Sequence, residues 1–298
     1  GVDLFFVISG FIMLVTAAKT QQNTLQFWWR RIKRVVPLYW LLTLLMVLLW
    51  LVKPSLFKSL TVSWATLIQS LLFVPHFSAS FPDKVWPLLV PGWSLNYELF
   101  FYCLFGFVIA LPRRLWVVST TVILLTLASL GYVIGPFEDA LKRVYTSPLL
   151  LEFLVGVWVG SLWLKKRLSC PLWLSIALIL VGTILLIGQE LWSVGPLATG
   201  IGAACVVVGV LAPQIAALQC RSLRVLGDSS YSLYLTHIFT LGVLRYFWIQ
   251  IVPSDFGPEI GVIFMAVALC VCVVVGVAVF RFLELPVTRF SFGQHRRQ

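Results

Sequence analysis

Ser94, Glu98 and Tyr102 fall four residues apart in the stretch WSLNYELFFY at 93–102. On a helix the spacings i, i+4 and i+8 put them in one stripe. Trp93 is expected at the outer interface, and Glu98 lies about 7 Å further in along the helix axis at 1.5 Å per residue. A carboxylate inside an apolar run is costly without partners, so such residues are functional candidates by default. The chemistry open to Glu98 is to orient a hydroxyl group or to pair with a catalytic histidine. The plainer reading of the same stripe is a structural hydrogen bond between helices.

Two further stretches carry groups of the right type. In GDSSYSLYLTHIF at 227–239, Asp228 and Ser229 are good N-cap residues and predict a helix start. Tyr234 and His237 then stand at i, i+3, with Arg245 eight residues further on the same face. His237 reads as a general acid or base, or as a hydrogen-bonded interior group, while Arg245 suits a snorkelling side chain. In WWRRIKRVVPLYW at 28–40, four basic residues precede an expected span that carries Pro37 near its start. Arg31 and Arg34, at i, i+3, are placed to grip the phosphates of a nucleotide-like donor; the alternative is a topology signal facing anionic lipid. Asp3 stands at the lip of the first apolar run, and Glu152, inside another, is expected to line a cavity. Arg281 and Glu284, at i, i+3, are expected to pair. His76 follows Pro75 in a loop and reads as structural, and His295 belongs to a basic tail.

The elements that must position these groups are membrane helices. Hydrophobic residues make up 60% of the 298 and charged residues 11%, with a mean hydropathy of +0.98. A soluble domain is close to half apolar and a quarter charged, so lipid must solvate much of this chain. No strand-like alternation is visible, and lipid cannot satisfy open backbone groups, so the fold class is an all-α polytopic membrane bundle in a single domain, 1–298. Nine spans are expected, at 1–18, 35–52, 93–111, 115–135, 144–164, 171–188, 195–217, 231–252 and 260–283. With Gly1 outside, the inner loops hold 15 Lys and Arg and the outer loops 5, a positive-inside pattern with a cytoplasmic C-terminus. The net charge of +11 is thereby a topology signal and not a nucleic-acid footprint. Residues 60–74 are apolar but short; as a span they would invert every later loop, so an interfacial or re-entrant piece is expected. The six cysteines have no metal-ligand spacing, and neither a disulfide framework nor a metal site is expected. No GxSxG, Walker loop or HExxH occurs.

The blocks GVDLFFVISGF, RRIKRVVPLYW, WSLNYELFFY and SYSLYLTH, in this order, with ELP at 284–286, together resemble the acyltransferase-3 family. These are bacterial inner-membrane enzymes that O-acylate cell-surface carbohydrates. The resemblance covers essentially the whole chain. It implies acetyl-CoA or a related acyl-CoA as co-substrate, no bound cofactor, and a saccharide or glycolipid hydroxyl as acceptor. It implies that Arg31 and Arg34 are the acyl-donor pair and that Glu98 is the site glutamate, with Asp3 near the catalytic mouth. The family also carries a basic residue and, about ten positions on, a histidine in a helix ahead of the GVDLFF block, its presumed general base. On this resemblance a tenth helix, carrying that base, is expected upstream, and a chain without it is expected to be inactive alone. Two other readings of the polar residues are a transporter or flippase for a glycan or lipid precursor, with Glu98, Glu152 and Arg245 along its pathway, and a non-catalytic membrane scaffold.

Overall fold

The structure is a computed structural model that describes residues 1–20, 22–54, 57, 60–168, 170–192, 196–217, 220–252 and 258–292. His295 and the basic tail lie outside the described residues. The helices run in order as α1 (Val2–Thr20), α2 (Thr24–Val52), α3 (Trp64–Leu71), α4 (Gly92–Ile109), α5 (Trp116–Ile134), α6 (Ala140–Tyr145) and α7 (Leu150–Leu164). They continue as α8 (Leu172–Trp192), α9 (Pro196–Val210), α10 (Pro213–Ala216), α11 (Arg221–Asp228), α12 (Ser230–Ile251), α13 (Pro258–Val279) and α14 (Leu285–Phe292). Among the described residues there is no strand. Among the described residues six segments are long and apolar enough to cross a membrane: 2–20, 24–52, 92–109, 113–134, 140–164 and 259–288. The other three expected spans are the shorter apolar stretches in α8 and α9, and α12, which is long but interrupted by polar residues. Large apolar side chains such as Leu48, Val118, Ile184 and Met265 stand exposed, as lipid-facing positions do.

Three local departures from the expected spans have physical causes. First, α2 begins at Thr24, so the basic stretch before residue 35 is helix and not loop. Asn23 starts it with a capping box: the Gln26 N–H donates to Asn23 Oδ1 at 2.9 Å and the Asn23 N–H to Gln26 Oε1 at 3.4 Å. Second, the expected span 144–164 is broken after Tyr145, because Ser147 precedes a proline and is driven out of helical geometry. Third, Ser229 caps nothing with its side chain; its hydroxyl donates back to the Val225 carbonyl at 2.8 Å, so α11 and α12 nearly abut. Within residues 60–74 the helix α3 has eight residues, about 12 Å, too short to cross hydrocarbon.

The chain forms two compact units, each with its own packing. The first comprises residues 1–31, 72–87 and 93–218, and the second 32–71, 88–92 and 219–298.

In the first unit α1 lies against α7 with almost no side chain between them. A Cβ placed on Gly10 would sit 2.0 Å from the Phe153 carbonyl oxygen, and one on Gly156 would sit 2.0 Å from that of Val7. Small residues that let two backbones touch are a regular device in lipid, where apolar burial alone drives little association. A Cβ on Gly160, one turn further, would sit 3.3 Å from the Phe11 carbonyl oxygen. Phe153 stacks with Phe6 at 4.5 Å and with Phe101 at 4.7 Å between ring centroids, bringing α4 into the same core. The start of α2 is fixed to α4: Thr24 Oγ1 donates to the Gly106 carbonyl at 2.8 Å, and Trp28 Nε1 to the Tyr102 carbonyl at 3.0 Å.

In the second unit the first turns of α12 act as a hub. The Tyr231 hydroxyl donates to the Val35 carbonyl at 2.6 Å, and the Tyr234 hydroxyl to the Pro91 carbonyl at 2.9 Å. Ser232 donates to the Glu284 carboxylate. Glu284 ends a π-helical turn, Phe280–Glu284, that joins α13 to α14. The turn accommodates Pro286, which lacks an N–H and whose ring would clash with the Phe282 carbonyl in regular helix. This corrects the expected Arg281–Glu284 pair. The wider turn rotates Glu284 inward, where it is buried, while Arg281 is exposed, and no ion pair joins them among the described residues.

Candidate functional site

In the first unit α1 and α4 meet at the Glu98 carboxylate, which is 4% exposed. The Tyr102 hydroxyl, one turn later in α4, donates to Glu98 Oε1. Ser9 Oγ, from α1, donates to the same oxygen at 3.2 Å. A buried carboxylate that receives two hydroxyl donors is held in one orientation and is compensated for its lost hydration. Ser94 completes the stripe, fully buried.

Arg31 enters the same cluster from α2. Its Nη2 donates to Thr16 Oγ1 at 3.0 Å. Its guanidinium lies 5.6 Å from the Phe27 ring centroid and 5.8 Å from that of Tyr102, within cation–π range. Tyr102 thus touches both sequence-derived candidates, its hydroxyl on Glu98 and its ring beside Arg31. Thr16 Oγ1 is itself aimed by donating to the Ile12 carbonyl at 2.6 Å.

Nearer the Gly1 end of the same unit are Asp3, Glu152 and Trp93. The Asp3 and Glu152 carboxyl groups are close enough to interact electrostatically, both residues are buried, and neither Glu152 carboxylate oxygen has a hydrogen-bond partner among the described residues. Gly200 leaves room for Glu152: a Cβ there would come within 3.3 Å of Glu152 Cγ. Trp93 packs edge-on against Phe6 at 6.4 Å and Tyr97 at 5.9 Å. Asp3 and Ser9 are six residues apart on α1, about 9 Å along its axis.

The remaining candidates belong to the second unit. Arg34 follows Arg31 by one turn in α2 and is within electrostatic reach of Glu284. Tyr234 is used by the Pro91 carbonyl, and its ring is 5.9 Å from that of His237. His237 Nδ1 is hydrogen-bonded to the Tyr234 carbonyl in its own helix, which fixes the proton on Nδ1. Arg245 is exposed. His76 is buried, with Nδ1 on the Val74 carbonyl at 2.9 Å, the structural role expected of it.

Sequence reasoning missed Ser9 and Thr16. A signal was present: they are two hydroxyl residues set seven apart in an apolar helix, two turns on one face. It also missed Ser232 and the inward turn of Glu284.

A family profile described as an acyltransferase domain matches residues 1–281. The exopolysaccharide production protein ExoZ of Rhizobium meliloti is 38% identical over 300 residues, which cover 97% of this chain and 89% of that protein. The O-acetyltransferase OatA of Staphylococcus aureus is 26% identical over 328 residues, 98% of this chain and 53% of OatA. The chain therefore spans about half the length of OatA. No solved structure matches significantly.

Proposed function

The chain belongs to the acyltransferase-3 family, and on that premise we propose that it is a membrane O-acyltransferase moving an acetyl or other acyl group from acyl-CoA to a saccharide hydroxyl. That it is an acyltransferase follows from the family; donor, acceptor and the residues' roles are the proposal. The observation that carries it is the buried Glu98, aimed by two hydroxyls and joined through Tyr102 to Arg31. Glu98 takes the hydroxyl proton during transfer, a role a fixed carboxylate in a water-poor site performs well. Arg31, with Arg34 one turn on, binds the phosphates of acyl-CoA by charge-assisted hydrogen bonds. Asp3, Glu152, Trp93 and Ser94 line the acceptor side. The charge pattern supports a bacterial inner-membrane orientation with Gly1 outside and the Arg31 end cytoplasmic. The saccharide acceptor is supported by what the relatives are called, a polysaccharide production protein and an O-acetyltransferase.

The test uses the full-length protein, with any residues its gene encodes ahead of Gly1, in lipid vesicles with acetyl-labelled acetyl-CoA and envelope saccharide. Base-labile label in saccharide that is lost with Arg31→Ala and Glu98→Gln supports the reading. Saccharide that crosses the vesicle membrane without acquiring label overturns it in favour of a transporter.

A further inference from the structure

Glu98 has a partner that the acyl-donor and acceptor roles leave unused. Ser9 is 5% exposed, inside a helix whose other residues at that depth are apolar, and its hydroxyl points at Glu98 Oε1 from 3.2 Å. Glu98 is in turn oriented by the Tyr102 hydroxyl. A hydroxyl within reach of a base, with that base aimed by a third group, is the arrangement that activates a serine nucleophile. We propose that Ser9 is the acyl carrier of this enzyme, forming a seryl ester between donor and acceptor. The proposal rests on the acyl-CoA reading above.

Reach supports it. Thr16, which holds Arg31, is seven residues from Ser9, about 10 Å along one face of α1. The extended pantetheine arm of coenzyme A is longer than that, so phosphates held at Arg31 leave the thioester free to reach Ser9. A side chain in the middle of the helix also separates two substrates that approach from opposite faces, so they need not meet.

The step balances. Ser9 Oγ attacks the thioester carbonyl carbon; the O–C bond forms and the C–S bond breaks. The hydroxyl proton passes to Glu98 and from there to the departing thiolate, giving free coenzyme A. The acceptor hydroxyl then attacks the seryl ester, its proton returns through Glu98 to Ser9 Oγ, and the acylated acceptor leaves. Burial protects the ester from water.

The test incubates the full-length protein, with any residues its gene encodes ahead of Gly1, in vesicles with labelled acetyl-CoA and no saccharide, quenches in acid, and maps acetylated peptides by mass spectrometry. Acetyl on Ser9, turning over when saccharide is added, is expected. Ser9→Ala loses that label and at least 100-fold in transfer rate. Ser9→Cys keeps the label as a thioester that neutral hydroxylamine removes, which separates chemistry from misfolding. Acetyl transfer by Ser9→Ala within about threefold of the parent rate overturns the carrier alone, as does transfer with no label at Ser9. Neither transfer nor label from acetyl-CoA in the parent chain, with both restored by another acyl donor, overturns the donor reading and leaves the carrier standing. Neither with any donor overturns both.

Discussion

Tyr102 bonds to Glu98 from the next turn of the same helix while its ring faces the Arg31 guanidinium, 5.8 Å from the ring centroid. One side chain therefore couples the carboxylate to the cation, and the two contacts can be removed separately.

Tyr102→Phe removes the hydroxyl and keeps the ring. The Glu98 carboxylate loses a donor worth about 1.5–3 kcal/mol, so transfer is expected to slow by about 10- to 100-fold with the donor KM little changed. Tyr102→Leu also removes the face beside Arg31, and is expected to raise the donor KM in addition. Steady-state kinetics on the two variants separate the contacts.

Arg31→Lys keeps a charge but loses the planar fork and most of the stacking on Phe27 and Tyr102. The donor dissociation constant is expected to rise about tenfold, or 1.4 kcal/mol, measured by acetyl-CoA binding to the chain in nanodiscs. A change under twofold would remove Arg31 from the donor site.

Gly156→Leu drives a side chain into the Val7 carbonyl, where a Cβ alone already sits at 2.0 Å. Overpacking of this kind costs about 1–3 kcal/mol even where side chains can move, and here the obstacle is backbone. The thermal midpoint is expected to fall by many degrees or the protein to fail to assemble. Gly160→Ala meets only a 3.3 Å contact and is expected to shift it by no more than a few degrees. Equal effects at the two positions would disprove the close α1–α7 approach.

Ser232→Ala leaves the buried Glu284 without its hydroxyl donor. The expected loss is about 1–3 kcal/mol of stability, read from denaturant or thermal unfolding in detergent. Arg281→Ala, at the residue that sequence spacing assigned to Glu284, is expected to change stability by less than about 0.5 kcal/mol, as for an exposed charge.

What could be read in advance followed the range of the interaction. The Ser94, Glu98 and Tyr102 stripe and the shortness of α3 depend on neighbours within a turn or two, and both came through. The bond from Ser9 to Glu98 spans 89 residues and depends on which helices pack together, which periodicity does not encode. The helical start of α2 was hidden because charged residues read as loop, although Asn23 and Gln26 spell a capping box. The Arg281–Glu284 pairing failed because it assumed regular helix where a proline two residues past Glu284 demands a wider turn. Asp3 and Glu152 were each singled out, but their meeting depends on the glycine contact that draws α1 onto α7.

That contact has a consequence for precision. Gly10 is the residue after Ser9, and it is locked against Phe153 with no side chain to act as a cushion. A slip of α1 by one helical turn would carry Ser9 about 5.4 Å along the axis, beyond hydrogen-bonding reach of Glu98. The alignment of the hydroxyl with its carboxylate is thus indexed by two residues that have no functional groups, and even small added bulk at Gly10 would mistune the site without touching any of its polar atoms.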